Sequence, residues 1–243
     1  MLIYGIKPVL EALRAGRVTS LRVSERGHKH LGEILKLASQ RDVGVRRVDS
    51  TTLDRDARGG VHQGVVAEVR ASEAYSVADL VRDARGTPLI IVLDSIEDPH
   101  NVGAILRTAD AAGADGVVRQ SRHAAPLGGA AAKVSAGAVA HVKVADVVNI
   151  ARAIEELKEL GVWSVGLAGD APQRYDETDL TVPTALVVGT EGTGLRRLVR
   201  ERCDLLASIP MLGHVRSLNV SVAAGIALFE AIRQRALKKG QEP

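Results

Sequence analysis

Three short stretches of this chain bring together residue types that can hold a ligand and act on it. The first is Gly189-Thr190-Glu191-Gly192-Thr193-Gly194-Leu195, directly after the apolar run TALVV. Glycines let backbone approach a ligand closely, and a following helix would offer its free amide groups. The second runs from Ile209-Pro-Met211 to Ser217-Leu218-Asn219 and opens a series of small residues. Ser217 or Asn219 would serve there as a helix N-cap. The pair equally suits two polar side chains beside a backbone-lined pocket, one reaching the ligand and one fixing the glycine loop. The third is DPHNVGAILR at 98–107. If a helix starts near Pro99, Asn101 falls in its first turn and Arg107 almost two turns later. That arrangement reads as a cap plus a surface arginine, or as an arginine whose planar fork grips a phosphate at the mouth of a site.

Other chemistries fit less well. A P-loop needs GxxxxGK[ST], but here the spacing fails and no lysine follows. The dinucleotide fingerprint GxGxxG appears in the wrong order, with no suitable acid after a second strand. Glu191 also reads as an acid complementing a helix dipole. His214 lies three residues before Ser217 without an evident carboxylate partner, which argues against nucleophilic catalysis. The seven histidines give no metal-ligand spacing, and His28-x-His30 is isolated. Cys203 is the only cysteine, so an intramolecular disulfide and a thiolate cluster are both excluded.

The elements that must position these residues come in two styles. Up to residue 70 the chain reads as a small α/β unit. GIKPVLEALRAG is an amphipathic helix with Pro8 near its start and Gly16 as its stop. LRVS at 21–24 is a strand, a helix crosses HLGEILKLASQRD, and VGVRRV (43–48) and HQGVVAEV (62–69) are further strands with turn-rich RDARGG between them. Residues 71–86 are polar and helix-compatible, and are expected to form a linker. From 87 to 243, apolar strands alternate with helices. PLIIVLD (88–94), GVVRQ, VWSVGLA (162–168), TALVVG (184–189) and LLASIP (205–210) are strands. NVGAILRTADAAG, NIARAIEELKELG and VSVAAGIALFEAIRQRALKK are helices. Such alternation predicts an α/β fold with a mainly parallel sheet, whose ligands bind at the carboxyl ends of the strands. All three chemical stretches begin at such ends.

Composition narrows the class. At 243 residues and 46% hydrophobic content the chain can bury a proper core, built from Ala, Val, Leu and Ile because aromatic residues are only 2%. That scarcity argues against modules that stack bases on exposed rings. Net charge is +3, unevenly spread. Residues 1–70 carry 13 Lys and Arg against 8 Asp and Glu, while the rest carries 19 against 21. The basic excess sits where a nucleic-acid footprint is expected, although a solvated basic surface explains it as well. No apolar run reaches the roughly 20 residues a membrane span needs, and the start lacks a signal-peptide layout. A cytoplasmic location and no membrane partner are therefore expected.

Taken together, DSIEDPHNVGAILRTADAAGADG (94–116), the glycine loop and IPMLGHVRSLNVSVAAGI (209–226) resemble the three motifs of the SpoU family of RNA ribose 2′-O-methyltransferases, within the SPOUT class. The likeness covers essentially the whole chain, since YGIKPVLEAL and HQGVVA look like that family's substrate-binding domain. APLGGAAAKVSAGAVAHVKV at 125–144 is closest to the branch that methylates a guanosine in the peptidyl-transferase P loop of 23S rRNA. Thr190 stands where many relatives carry Ser or Ala. The resemblance implies a deep trefoil knot, a homodimer with its site near the interface, and S-adenosylmethionine as cofactor. Gly189, Thr190, Glu191, Gly192, Gly194, Ile209, Met211 and Leu218 would line the cofactor site. Arg107 would activate the ribose hydroxyl, supported by Asn101, Glu191, Ser217 and Asn219. A guanidinium is a poor proton acceptor, so Arg107 either takes the proton with help from a substrate phosphate or steadies the alkoxide while phosphate or water takes it. A tRNA guanosine or rRNA adenosine as substrate, and a non-catalytic RNA-binding protein, are the alternatives.

Overall fold

The computed structural model describes residues 1–25, 31–70, 74–122 and 124–240, with the side chain of Lys239 also set aside. His28, His30, His123 and the first residues of the expected linker lie outside the described residues. The elements in chain order are β1 (Leu2–Tyr4), α1 (Ile6–Arg14), β2 (Val18–Ser24), α2 (Leu31–Gln40), β3 (Gly44–Val48), α3 (Ser50–Asp56), β4 (Val65–Val69), α4 (Val77–Arg82), β5 (Leu89–Leu93), α5 (Pro99–Ala111), β6 (Gly116–Gln120) and α6 (Gly129–Val134). After a single 3-10 turn at Ala138–Ala140 come β7 (Val144–Val147), α7 (Ile150–Glu159), β8 (Trp163–Leu167), β9 (Gln173–Arg174), β10 (Thr184–Val188), α8 (Arg197–Arg202), β11 (Leu205–Ser208) and α9 (Val220–Lys239).

Two compact units share these elements. One comprises Met1–Ser72 with Val102–Arg107 and Ala125–His141. Its four-stranded sheet has the order β1-β4-β2-β3, antiparallel except for the parallel β2–β3 pair. Leu13 of α1, Leu21 of β2 and Ile34 of α2 are fully buried. Tyr4, Leu53, Ala57 and Val66 form a second apolar cluster beneath α3. Sequence patterning misjudged two boundaries here. β4 starts at Val65 rather than His62, because Gln63 and Gly64 take positive φ and make a turn. The stretch before that turn carries the short helix α3, capped by the Asp49 carboxylate, which accepts from Thr52 N at 2.6 Å.

The other unit holds Glu73–Asn101, Thr108–Ala124 and Val142–Pro243. Its seven strands run β7-β6-β5-β10-β8-β11-β9, every neighbouring pair parallel, as the strand–helix alternation predicts. β5 and β10 sit at the centre, and all ten of their residues are buried. Alternation along these strands supplies two apolar faces. Ile90, Val92, Ala185 and Val187 pack with Val77 and Leu80 of α4, Ile154 and Leu157 of α7, and Val199 of α8. The remaining residues of β10 turn the other way, towards α9, whose Ala224, Ala227, Leu228 and Ala231 are buried. Helix α4 lies inside the stretch read as linker. Ser76 and Asp79 form a reciprocal capping box at its start.

Cys203 follows α8, its thiol donating to Val199 O at 3.3 Å. Burial, reinforced by the charges of Asp204 and Asp94, pushes this thiol up to about 12. The thiolate needed for alkylation is therefore scarce at pH 8. Iodoacetamide should label native protein at least tenfold more slowly than urea-unfolded protein; equal rates, followed by mass spectrometry, would contradict the burial.

α9 is moored at its far end by Arg235. The guanidinium donates to four backbone carbonyls: Leu180 at 3.0 Å, Thr87 at 2.7 Å, and Pro88 and Val182 each at 2.9 Å. These carbonyls lie just ahead of β5 and β10, so one side chain ties the helix to the amino ends of both central strands.

Candidate active site at the carboxyl ends of the strands

A cavity of about 460 Å³ opens where β8, β10 and β11 end. Its walls are the turn after β8, the glycine loop after β10, the segment after β11 and the first turn of α9. The loop is a tight backbone circuit: Thr190 N donates to Gly194 O at 3.1 Å, and Gly194 N returns to Thr190 O at 2.9 Å. Gly192 and Gly194 take φ of +86° and +68°, a region costly for side chains other than glycine. Gly189 is required for another reason. A Cβ there would lie 2.2 Å from Gly194 O and 2.5 Å from Leu195 N, both backbone atoms.

Behind the loop, the fully buried Asp94 carboxylate at the end of β5 accepts from Arg196 N at 2.8 Å and Arg196 Nε at 2.7 Å. This clamp fixes where the loop hands over to α8. Sequence reasoning missed it, because Asp94 is a single acid whose partner lies 102 residues away.

Beside the cavity three polar side chains meet. Asn219 caps α9, its Oδ1 accepting from Ser221 N at 3.0 Å. Its Nδ2 donates to Asn101 Oδ1 at 2.9 Å and to Glu191 Oε1. Glu191 Oε1 also accepts from Asn101 Nδ2 at 3.2 Å and from Val220 N at 3.4 Å. Asn219 is therefore both the helix cap that the sequence suggests and a bridge from α9 to the glycine loop, and Glu191 complements a helix N-terminus. The helix is α9 rather than the one that follows the loop. Asn101 lies in the first turn of α5, which begins at Pro99 behind its N-cap Asp98, as the spacing predicts.

All eight residues expected to line a cofactor site face the cavity: Gly189, Thr190, Glu191, Gly192, Gly194, Ile209, Met211 and Leu218. Ser217 lines it too, outside the Asn101–Glu191–Asn219 cluster. Arg107 is exposed on α5 and is not among the lining residues. Six positions separate it from Asn101, which places it about 9 Å along the helix and a third of a turn around it. The cavity also takes in Asp170, Arg200 and Arg216, which sequence reading did not single out. Nothing in their local pattern sets them apart from surface charges. Among the described residues no cluster of His, Cys, Asp and Glu could hold a metal ion, and no helix is long and apolar enough to cross a membrane.

The cavity suits a nucleoside-bearing cofactor in size and in lining. Ile209 and Leu218 offer apolar contact for a flat base, while the loop and the turn after β8 offer backbone donors and acceptors.

Comparison with known proteins bears on what this geometry serves. Residues 88–229 match the model of the SpoU rRNA methylase family, and residues 2–75 match that of the RNA 2′-O ribose methyltransferase substrate-binding domain. The chain is 44% identical over 243 residues to the 23S rRNA (guanosine-2′-O-)-methyltransferase RlmB of Pseudomonas putida, covering 98% of each. It is 42% identical to the putative TrmH family tRNA/rRNA methyltransferase YacO of Bacillus subtilis, covering 96% of this chain and 95% of that one. Among solved structures it resembles the SpoU methyltransferase AviRb from Streptomyces viridochromogenes in complex with AdoMet. There the TM-score is 0.83 at 27% identity, over 98% of this chain and 91% of that one.

Proposed function

The chain belongs to the SpoU rRNA methylase family, and from that premise we propose that its cavity is the cofactor site of a 23S rRNA guanosine 2′-O-methyltransferase. The enzyme uses S-adenosylmethionine, and its acceptor is a ribose 2′-hydroxyl of 23S rRNA. The observation that carries the assignment of the site is the placement of the Asn101–Glu191–Asn219 cluster at the rim of a glycine-walled cavity. One side of that rim can hold a cofactor while the other presents hydrogen-bonding groups to a ribose.

When bound, the cofactor supplies an electrophilic methyl group for the ribose oxygen, whose proton must leave. The chain's own residues set the geometry. The circuit from Thr190 to Gly194 presents backbone to the base and sugar, and Ile209 and Leu218 exclude water around them. Asn219 holds Asn101 and Glu191 in one arrangement, so little reorganisation remains on the way to the transition state. Ser217 faces the cavity as a further hydroxyl for the ribose. Arg107 carries the fixed positive charge assigned to the reacting oxygen and its neighbouring phosphate. There it steadies the alkoxide, and the proton goes to phosphate or water.

Arg107→Ala should cut single-turnover methylation at least 100-fold and change affinity for S-adenosylhomocysteine by less than threefold. Lost cofactor affinity would move Arg107 from the acceptor side to the cofactor side. The same reading places the substrate-binding function in residues 1–70, which hold the basic excess, joined by 71–86 to a methyltransferase domain at 87–243. It includes the trefoil knot and a homodimer in the cytoplasm. Exposed Val222 and Phe229, two turns apart on α9, support a partner on that helix. The target within 23S rRNA is a guanosine of the peptidyl-transferase P loop.

The direct test offers the protein methyl-labelled S-adenosylmethionine with 23S rRNA, 16S rRNA and bulk tRNA separately, then maps any 2′-O-methyl group. Label confined to a 23S guanosine is expected. Label in tRNA would overturn the substrate and keep the chemistry, whereas cofactor binding without transfer to any RNA would leave only an RNA-binding role.

A further inference from the structure

Glu191 spends one oxygen, Oε1, on Asn101, Asn219 and Val220, which ties its carboxylate to the cluster at the rim. One other carboxylate lines the cavity. Asp170 sits in the turn after β8, and Arg200 reaches it from α8 with two parallel hydrogen bonds, Nη1 to Oδ1 at 2.8 Å and Nη2 to Oδ2 at 3.0 Å. This pair lies across the cavity wall with 71% of the Asp170 side chain and 37% of the Arg200 side chain exposed. Ion pairs so open to water add little to stability. A two-point clamp on an exposed acid does fix the plane and direction of its carboxylate. Each oxygen uses one acceptor site on Arg200 and keeps another free.

Resting on the cofactor reading of this cavity, we infer that Asp170 receives the vicinal 2′- and 3′-hydroxyls of the cofactor's ribose, with Arg200 as its positioning partner. A vicinal diol presents two O–H donors at a spacing that the two oxygens of one carboxylate match. The neighbouring walls offer backbone groups, apolar side chains and the neutral hydroxyls of Thr190, Thr193 and Ser217, and the other charged liner apart from Glu191 is the cationic Arg216, which has no acceptor to offer a hydroxyl. The arrangement differs from dinucleotide-binding sheets, where an acid some 20 residues beyond the glycine loop takes the sugar. Here the acid precedes the loop in the chain and reaches the cavity from the adjacent strand, β8.

The test compares binding of S-adenosylhomocysteine with that of its 2′,3′-dideoxy counterpart, by calorimetry on the full chain. Wild type should favour the diol-bearing ligand at least tenfold. Asp170→Asn and Asp170→Ala should weaken that ligand about tenfold and leave the dideoxy compound within twofold, abolishing the preference. Arg200→Gln should reduce the preference in part, and Arg200→Lys should restore some of it. Equal weakening of both ligands would reduce the pair to a structural role, and an unchanged preference in Asp170→Ala would refute the contact. Wild type that binds neither ligand would fail at the cofactor reading itself, while wild type that binds both equally would overturn this inference alone.

Discussion

Replacing Asn219 by aspartate should abolish methylation while keeping the cap on α9. The side chain does two separable things. Its Oδ1 caps α9, a contact worth about 1 kcal/mol when lost to alanine. Its Nδ2 donates to Asn101 and Glu191. Aspartate keeps the cap and improves the match with the helix dipole. It removes both donors and sets a second carboxylate against Glu191, so the cluster must come apart. Turnover should fall at least 100-fold, about 2.7 kcal/mol of transition-state stabilisation. Asn219→Ala should lose the same activity and about 1 kcal/mol of stability besides. Thermal melts and single-turnover assays with 23S rRNA separate the two effects. Activity that follows stability across both variants would make Asn219 a cap and nothing more.

Gly189→Ala should weaken cofactor binding sharply. The added methyl meets Gly194 O at 2.2 Å and Leu195 N at 2.5 Å, and no flexible side chain is there to yield. The Thr190–Gly194 circuit has to open instead, at a cost of about 1–3 kcal/mol. Affinity for S-adenosylhomocysteine should drop by up to about 100-fold. Gly192→Ala is the informative control. A Cβ there meets nothing within 4 Å, so the penalty is the positive φ alone, about 1–2 kcal/mol. Its affinity should fall far less. Equal affinities for Gly189→Ala and wild type, by calorimetry, would show that the loop does not cradle the ligand.

What was legible in the chain follows from what is local. The glycine loop, the first-turn position of Asn101 and the small-residue helix after Asn219 are each set by neighbours a few residues away. The apolar runs at 88–94 and 184–189 identified the two central strands, because only strands covered on both faces tolerate such sequences. β9 has two residues and leaves no periodicity to read. The Asp94–Arg196 clamp and the Asp170–Arg200 pair depend on strand order, which places β10 between β5 and β8. Nothing in the chain's linear pattern encodes that order. The stretch at 71–86 reads as polar and helix-compatible, and its helix α4 turns Val77, Leu80 and the partly buried Val81 to the core.

The mooring of α9 carries a consequence for the order in which this protein becomes competent during its synthesis. Asn219 and Arg235 both come after β11 in the chain, behind all the strands given above. Until they emerge from the ribosome, Asn101 and Glu191 lack the amide that joins them, and the carbonyls ahead of β5 and β10 await their guanidinium. A nascent chain stalled short of its final helix can display a complete glycine loop and still have no assembled site. Methylating ability therefore waits for α9 to be made, and a premature stop ahead of Arg235 yields a product whose last helix has no mooring.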